Sequence, residues 1–570
     1  MFSPLAWTLS FALLGALLFT LTLVPVLSSI LLNKNVREKN NPIVNFFNRT
    51  VNKAFNFTTA HKKLSLLTAS LIISISLFSF KFLGSEFLPT LNEGALWVTA
   101  ELPMSYSLTE TRKMTEVFRR ELRNFDEVSR VLSQIGRSND GTDPNGFYFT
   151  QFQVDLKPKK EWHRKITQEQ LINEMNKKLD QYPGIVLNFS QPIIDNVAEA
   201  VAGFKASFGI KIFGNNLEDI DRIADSVYQV MKTVPGVKDL GVLRNLGQPE
   251  ISILLSEQKM ALYGVTIADA NAVIETAIGG KSASYFYQGE MKFPIRIRYP
   301  EEYRNNEYAM SKLRVPTLHG STVPLKEIAE IKTVTGPAFI YRDKNTRFIA
   351  IKFSIRERDM GSTIADAQQR VKEQVKLGKG LNIEWSGEFE NQVRAQQKLS
   401  QVVPIVLVMI FILLFITFGN AVDAGLVLLN VPFALIGGIL ALHITGTVFS
   451  ISAGIGFIAL FGICIQNGVI LISVFKQNLH QKLSLPQAIR DGVNARIRPV
   501  VMTALMAAIG LLPAAISTGI GSETQKPLAI VVIGGLISST ILTLLIFPLV
   551  VEIFYKRAHQ RKQKRTISLT

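Results

Sequence analysis

Seven stretches of this chain are apolar and long enough, or nearly so, to cross a lipid bilayer: 5–32, 64–83, 401–418, 424–444, 449–475, 499–518 and 528–551. A helix spanning a hydrocarbon core about 30 Å thick needs about 20 such residues. Searching these runs for Asp, Glu, Lys and Arg returns only Lys81, at an end where it can snorkel to the interface. The first run has no basic region ahead of it, so it does not read as a signal peptide. Such a chain is neither a soluble single-domain protein nor a disordered one. Its one cysteine, Cys464, excludes a disulfide and a cysteine zinc cluster, and its place within a run reads as small apolar packing.

The formal charge of +17 invites a nucleic-acid reading, but its distribution argues against one. Segments 33–63, 476–498 and 556–570 carry net +6, +4 and +6, together +16 of the +17. All three flank apolar runs, as Lys and Arg do on the cytoplasmic side of a membrane. Alternating sides from an external Met1 puts the three basic segments on one side and the nearly neutral segment 84–400 on the other. The short turn from Asn420 to Asp423 then lies inside. Segment 33–63 is expected to hold an amphipathic surface helix around Phe46, Phe47, Phe55 and Phe57.

Within 84–400, strand-like runs such as Leu96–Leu102, Phe149–Leu156, Phe208–Phe213 and Phe348–Phe353 alternate with helical patterns over 108–123, 167–180, 216–233, 267–278 and 363–376. Turn signals such as Tyr182-Pro183-Gly184 separate them. The pattern predicts small split βαβ units. The fold class expected is an α+β membrane protein, with a seven-span helical bundle and a large external region of βαβ-type subdomains. No phosphate loop or nucleophile elbow appears, so an enzyme reading has no supporting constellation.

Several motifs carry a family resemblance. Phe82-Leu83-Gly84-Ser85-Glu86-Phe87-Leu88-Pro89 and Asn92-Glu93-Gly94 follow the second run, and Gly387-Glu388-Phe389-Glu390 precedes the third. Gln466-Asn467-Gly468-Val469-Ile470-Leu471 lies in the fifth, and Arg496-Ile497-Arg498-Pro499-Val500-Val501-Met502-Thr503 opens the sixth. In this order and spacing they resemble the resistance-nodulation-division transporters, specifically the heavy-metal efflux branch typified by the cobalt-zinc-cadmium resistance pump.

The resemblance covers nearly the whole chain and implies much that composition does not show. Family members have twelve spans in two similar halves, each with a large periplasmic loop, in the bacterial inner membrane. They work as homotrimers joined to a periplasmic adaptor protein and an outer-membrane channel. On that plan 1–32 is the sixth span, 33–63 a cytoplasmic segment, 64–83 a span, 84–400 periplasmic, 401–555 five spans and 556–570 a cytoplasmic tail. Residues near 86–205, and near 206–240 with 345–395, would be porter subdomains, with a docking insertion near 241–344. The expected function is the C-terminal portion of a proton-driven exporter of divalent metal ions, with a missing N-terminal half or full-length subunits among its partners. The alternatives are a multidrug-type exporter and a truncated, inactive fragment. No cofactor beyond the transported ion, and no nucleic acid, is expected.

Proton coupling needs titratable groups within spans. The resemblance places the essential acids in a span that this chain lacks, so Gln466, Asn467 and Thr503 are expected to serve at most as hydrogen-bonding auxiliaries of a proton relay. The bland alternative is polar contact between helices, worth about 1 kcal/mol in membranes. His443, at the outer end of the fourth run, reads as an interfacial histidine.

For the metal, Asp195 and Glu199 are four apart, so a helical turn places both on one face. Two convergent carboxylates suit a borderline divalent ion such as zinc or cobalt. Thioethers would suit a softer monovalent ion, and window 191–205 holds no methionine. An ordinary solvated helix face is the alternative for this pair. His163, in a polar turn, is not expected to bind metal.

Overall fold

The computed structural model describes residues 3–31, 42–87, 89, 92–137, 145–243, 246–337, 339–517, 519 and 521–567. Residues 32–41 of the first run and basic segment lie outside these, as do Leu88, Ile520 and the last tail residues 568–570.

Among the described residues six helices are by themselves long and apolar enough to cross a membrane: Lys62–Phe82, Glu388–Phe418, Ala421–Thr445, Ile451–His480, Leu485–Ile516 and Gln525–Leu545. The first expected span is a bent pair, Ser3–Leu21 and Leu23–Leu31, which meet at 41° and, counted as one span, make seven. Pro25 supplies the reason: it has no N–H to give the carbonyl of Leu21, and its ring crowds that carbonyl. Pro548 acts alike near the other end, where a second helix, Phe547–Ile567, follows Gln525–Leu545.

The bundle's core gathers Phe457, Leu460, Cys464, Phe475, Val531 and Leu536. Its tightest crossing joins Asn430–Thr445 to Gln525–Leu545. A Cβ on Gly437 would lie 2.0 Å from the carbonyl oxygen of Gly534, so the two backbones touch. Ser538 Oγ fastens the crossing, donating to Phe433 O at 2.8 Å and accepting from the Gly437 N–H at 3.0 Å. Small residues at such crossings let dispersion contacts form where lipid offers no hydrophobic drive.

The expected turn at Asn420 to Asp423 closes early. Asn420 caps the helix Ala421–Leu428, and Asp423 lies inside it, 1% exposed. Its carboxylate is 2.7 Å from Lys476 Nζ and accepts from Tyr555 Oη at 2.8 Å. Lys81 is therefore not the only ionisable group on the long helices. Asp423 and Lys476 stand just beyond the apolar runs, and the helices continue through them. At the same end Lys62 pairs with Glu552 at 2.6 Å, and Arg490 donates to Asn56 at 2.9 Å. These contacts gather the described parts of the basic segments at one end of the bundle. The helix expected within 33–63 is Pro42–Ala60, with Phe55 buried and Phe46 and Phe57 exposed.

At the opposite end stands the α/β region. Strands Ala95–Glu101, Val128–Ile135, Phe149–Leu156 and Val186–Ser190 form one antiparallel sheet in the order second, third, first, fourth. Helices Leu108–Arg123 and Gln168–Leu179 connect them, capped by Ser107 and by a Thr167–Gln170 capping box. Strands Phe208–Phe213, Val237–Leu243, Thr346–Ile355 and Asn382–Gly387 repeat the same order, joined by helices Leu217–Lys232 and Met360–Gln374. Both are split βαβ units.

The second unit carries an insertion between its second and third strands. Leu246–Leu255 and Ala329–Pro337 pair as its stem. Met260, Val265, Leu313, Val315 and Leu325 give it a core of its own. A hairpin of Lys281–Gln288 with Met291–Ile297 projects from it, exposed on both faces.

Candidate functional site

The external motifs behind the family resemblance, 82–94 and 387–390, are far apart in sequence, yet they meet where the α/β region joins the bundle. Ser85 bridges Phe449, between two spanning helices, and its Oγ accepts from Gln392 Nε2 at 3.1 Å. Gly387 has φ +94°, and a Cβ there would lie 2.3 Å from Ser207 O, so only glycine lets the last strand turn directly into the long helix Glu388–Phe418. The next residue, Glu388, faces Glu86 closely enough for their charges to repel. Both line a cleft of about 580 Å³ with Gln191, Arg356, Arg358 and Asp359. Burial pushes the Glu86 carboxyl up to about 7.

Glu93, of the motif Asn92-Glu93-Gly94, caps a helix. Its carboxylate accepts from the N–H groups of Ile193 at 2.8 Å and Ile194 at 3.2 Å, while its own N–H donates to Gln191 Oε1 at 2.7 Å. The helix so anchored, Pro192–Ala202, carries Asp195 and Glu199. Pro192 at its start needs no acceptor, and Gly203 in the left-handed region ends it.

The two carboxylates differ in environment. Asp195 is 2% exposed, and its Oδ1 has no hydrogen-bond partner. Burial raises its carboxyl to about 6, opposed by Lys205, reinforced by Glu199 and again opposed by Lys352. Glu199 is more open and sits 3.8 Å from Lys205 Nζ. Lys352 is itself paired with Glu101 across the seam between the two sheets. Nearby on that seam, Ser354 Oγ donates to Asn188 Oδ1 at 3.1 Å, and Arg356 Nη1 to Asp239 Oδ2 at 2.8 Å. The helix therefore offers one buried carboxyl with a spare oxygen and one half-buried carboxylate. Among the described residues no group of three or more His, Cys, Asp and Glu is gathered to hold a metal ion. Asp195 and Glu199 are a pair of carboxyls on one helix, and His163 is exposed elsewhere.

The membrane trio is not brought together. Gln466 is exposed on Ile451–His480, whereas Asn467 is buried. Thr503 Oγ1 donates to Pro499 O of its own helix at 2.9 Å. The buried polar contact nearby is a different one, Thr543 Oγ1 donating to Asn430 Oδ1 at 2.6 Å. Sequence reasoning did not single out Glu86, Glu93, Glu388, Lys205 or Lys352. The first three stood inside the family motifs, which was the available signal. The lysines carried none, because each acts on Asp195 only through tertiary contact.

Comparison with known proteins gives a consistent picture. A family profile described as the AcrB/AcrD/AcrF family matches residues 1–555. The chain is 35% identical over 570 residues to the cation efflux system protein CzcA of Alcaligenes sp. (strain CT14), covering 99% of this chain and 53% of that protein. It is 31% identical over 573 residues to the cation efflux system protein CusA of Escherichia coli (strain K12), covering 98% and 54%. A crystal structure of a heavy metal efflux pump superposes with a TM-score of 0.87 at 32% identity, covering 97% of this chain and 55% of that one. The chain thus spans about half the length of the curated relatives it matches.

Proposed function

The chain belongs to the AcrB/AcrD/AcrF family, and we propose that it is the C-terminal portion of a proton-driven transporter that exports divalent heavy-metal ions. The observation that carries the metal reading is Asp195: a buried carboxyl with an unpartnered oxygen, on one helix face with Glu199. Carboxylate oxygens suit zinc, cobalt or cadmium better than a soft monovalent ion. The remaining ligands would come from the part of the relatives that this chain does not match. The cleft beside the helix carries Glu86, Arg356, Glu357, Arg358, Asp359 and Glu388 among apolar residues such as Phe189, Phe208 and Met360, and those charged groups suit a hydrated ion.

The partner proposals have separate support. On Ile451–His480 the exposed face carries Ala459, Gly462, Gln466 and Ser473. Small and polar residues suit contact with another helix rather than with lipid, so this face supports a missing N-terminal half, with Gln466 and Thr503 as auxiliaries to acids supplied there. The projecting hairpin exposes Tyr285, Phe286, Phe293 and Ile295, which supports contact with a second copy in a homotrimer. An adaptor and an outer-membrane channel, with placement in the bacterial inner membrane, complete the proposal.

The test is metal tolerance of cells carrying a complete pump with this portion in it. Asp195→Ala with Glu199→Ala is expected to abolish zinc, cobalt and cadmium tolerance while leaving expression unchanged. Full tolerance in that variant would sink the assignment.

A further inference from the structure

The surface helix Pro42–Ala60 roofs a groove at the basic end of the bundle. Phe47, Val51 and Ala54 recur at helical spacing and form its roof. Val501, Leu505 and Ala508 of Leu485–Ile516 form one wall, and Ile537 and Ile541 of Gln525–Leu545 line the other. Apart from the hydroxyls of Thr50 and Thr540, the lining side chains are hydrocarbon, and the groove holds about 430 Å³.

We propose that this groove holds one acyl chain of an anionic phospholipid, whose phosphate is met by Arg498 and Lys53. Two observations carry the assignment. The first is size. A helix with its side chains is about 10–12 Å across and rises about 5.4 Å per turn, so each turn needs roughly 400–600 Å³. The groove admits about one turn at most, too little for a helix to dock, whereas a flexible hydrocarbon chain fills it lengthwise.

The second is charge. Arg498 lies three residues before Val501 on the same helix, at the edge of its apolar run, and is exposed. Lys53 is exposed on the flank of the surface helix, which carries no Asp or Glu. Basic residues beside a membrane-embedded pocket suit an anionic headgroup.

Native mass spectrometry of the full 570-residue chain, delipidated in detergent and reloaded with phosphatidylglycerol or phosphatidylcholine, tests this. The expected result is one retained phosphatidylglycerol, favoured over phosphatidylcholine. Arg498→Gln or Lys53→Gln should each lower that preference on the order of fivefold, as a basic contact near a membrane surface would. Ala508→Trp and Ile541→Trp fill the groove from different helices and should each abolish retention of either lipid. Circular dichroism separates a blocked groove from an unfolded variant. Equal retention of the two lipids, or a lipid still held by both folded tryptophan variants, overturns the proposal. So does loss of the lipid when the part of the relatives not matched here is co-expressed, since protein would then be the occupant.

Discussion

Asp195 joins burial, charge and a free oxygen, so its titration should be visible in stability. Its carboxyl is raised from 3.8 to about 6 by burial. Stability is therefore fully present below about pH 4 and falls as pH rises through 6, because the ionised form is the one that burial penalises. Asp195→Asn should thus stabilise the external domains above pH 6, by no more than about 3 kcal/mol at 1.36 kcal/mol per tenfold. Below pH 4 it should do little. Zinc reverses the comparison, since ligands must be deprotonated to bind. Thermal unfolding at pH 7 should show zinc protecting the wild type and not Asp195→Asn; equal protection would remove Asp195 from the site. A second residue-scale prediction concerns the ion pair of Asp423 with Lys476. Lys476→Met leaves a 1%-exposed carboxylate with Tyr555 as its remaining partner and should cost about 3 kcal/mol in denaturant unfolding. Adding Asp423→Leu should recover much of that loss.

Among the elements, the helix Pro192–Ala202 depends on Glu93, about a hundred residues upstream, for its first two free N–H groups. Glu93→Ala removes both acceptors. It should cost about 1–2 kcal/mol and weaken zinc binding without touching a ligand. Weakened binding with unchanged stability would instead make Glu93 a ligand. The crossing of Asn430–Thr445 with Gln525–Leu545 has no slack at Gly437, where a Cβ would meet a backbone carbonyl at 2.0 Å. Gly437→Val should force the helices apart and lower the melting temperature of the bundle, with the α/β domains melting as before. Gly510, with nothing within 4 Å of an added Cβ, should accept alanine without a comparable loss.

For the whole molecule, the small and polar exposed face of Ile451–His480 supports the proposed partner half. The helix Ile451–His480 turns Gln466 and Ser473 outward and buries Asn467, so the exposed flank is polar where the proposed partner helix would lie. Reconstituted alone in proteoliposomes, the chain should move no zinc in response to a proton gradient. Proton-coupled transport by this chain alone would overturn the proposal that the coupling acids lie elsewhere. Gln466→Leu should matter only in a complete pump, as a fall in turnover.

How much of this was legible before folding follows from what each signal depends on. Bilayer crossing depends on local composition, so the apolar runs, the basic flanks and the alternation of strands with helices could be read from the chain. Split βαβ units followed from that alternation, and the family from motifs in their order. The break at Pro25 and the burial of Asp423 were less visible, because a helix continues past the end of an apolar run whenever its next residues find partners. Asp195 and Glu199 were legible as a pair, since i and i+4 share a helix face. Their unequal burial was not, because it is set by sheets and lysines distant in sequence. Sequence by itself determined where the chain meets lipid and which helix face carries the paired carboxylates. Tertiary structure alone decided which carboxyl is buried with a free oxygen, which motif acids converge on the cleft, and where a groove opens to the bilayer. Those properties are sums over neighbours that only the folded chain brings together.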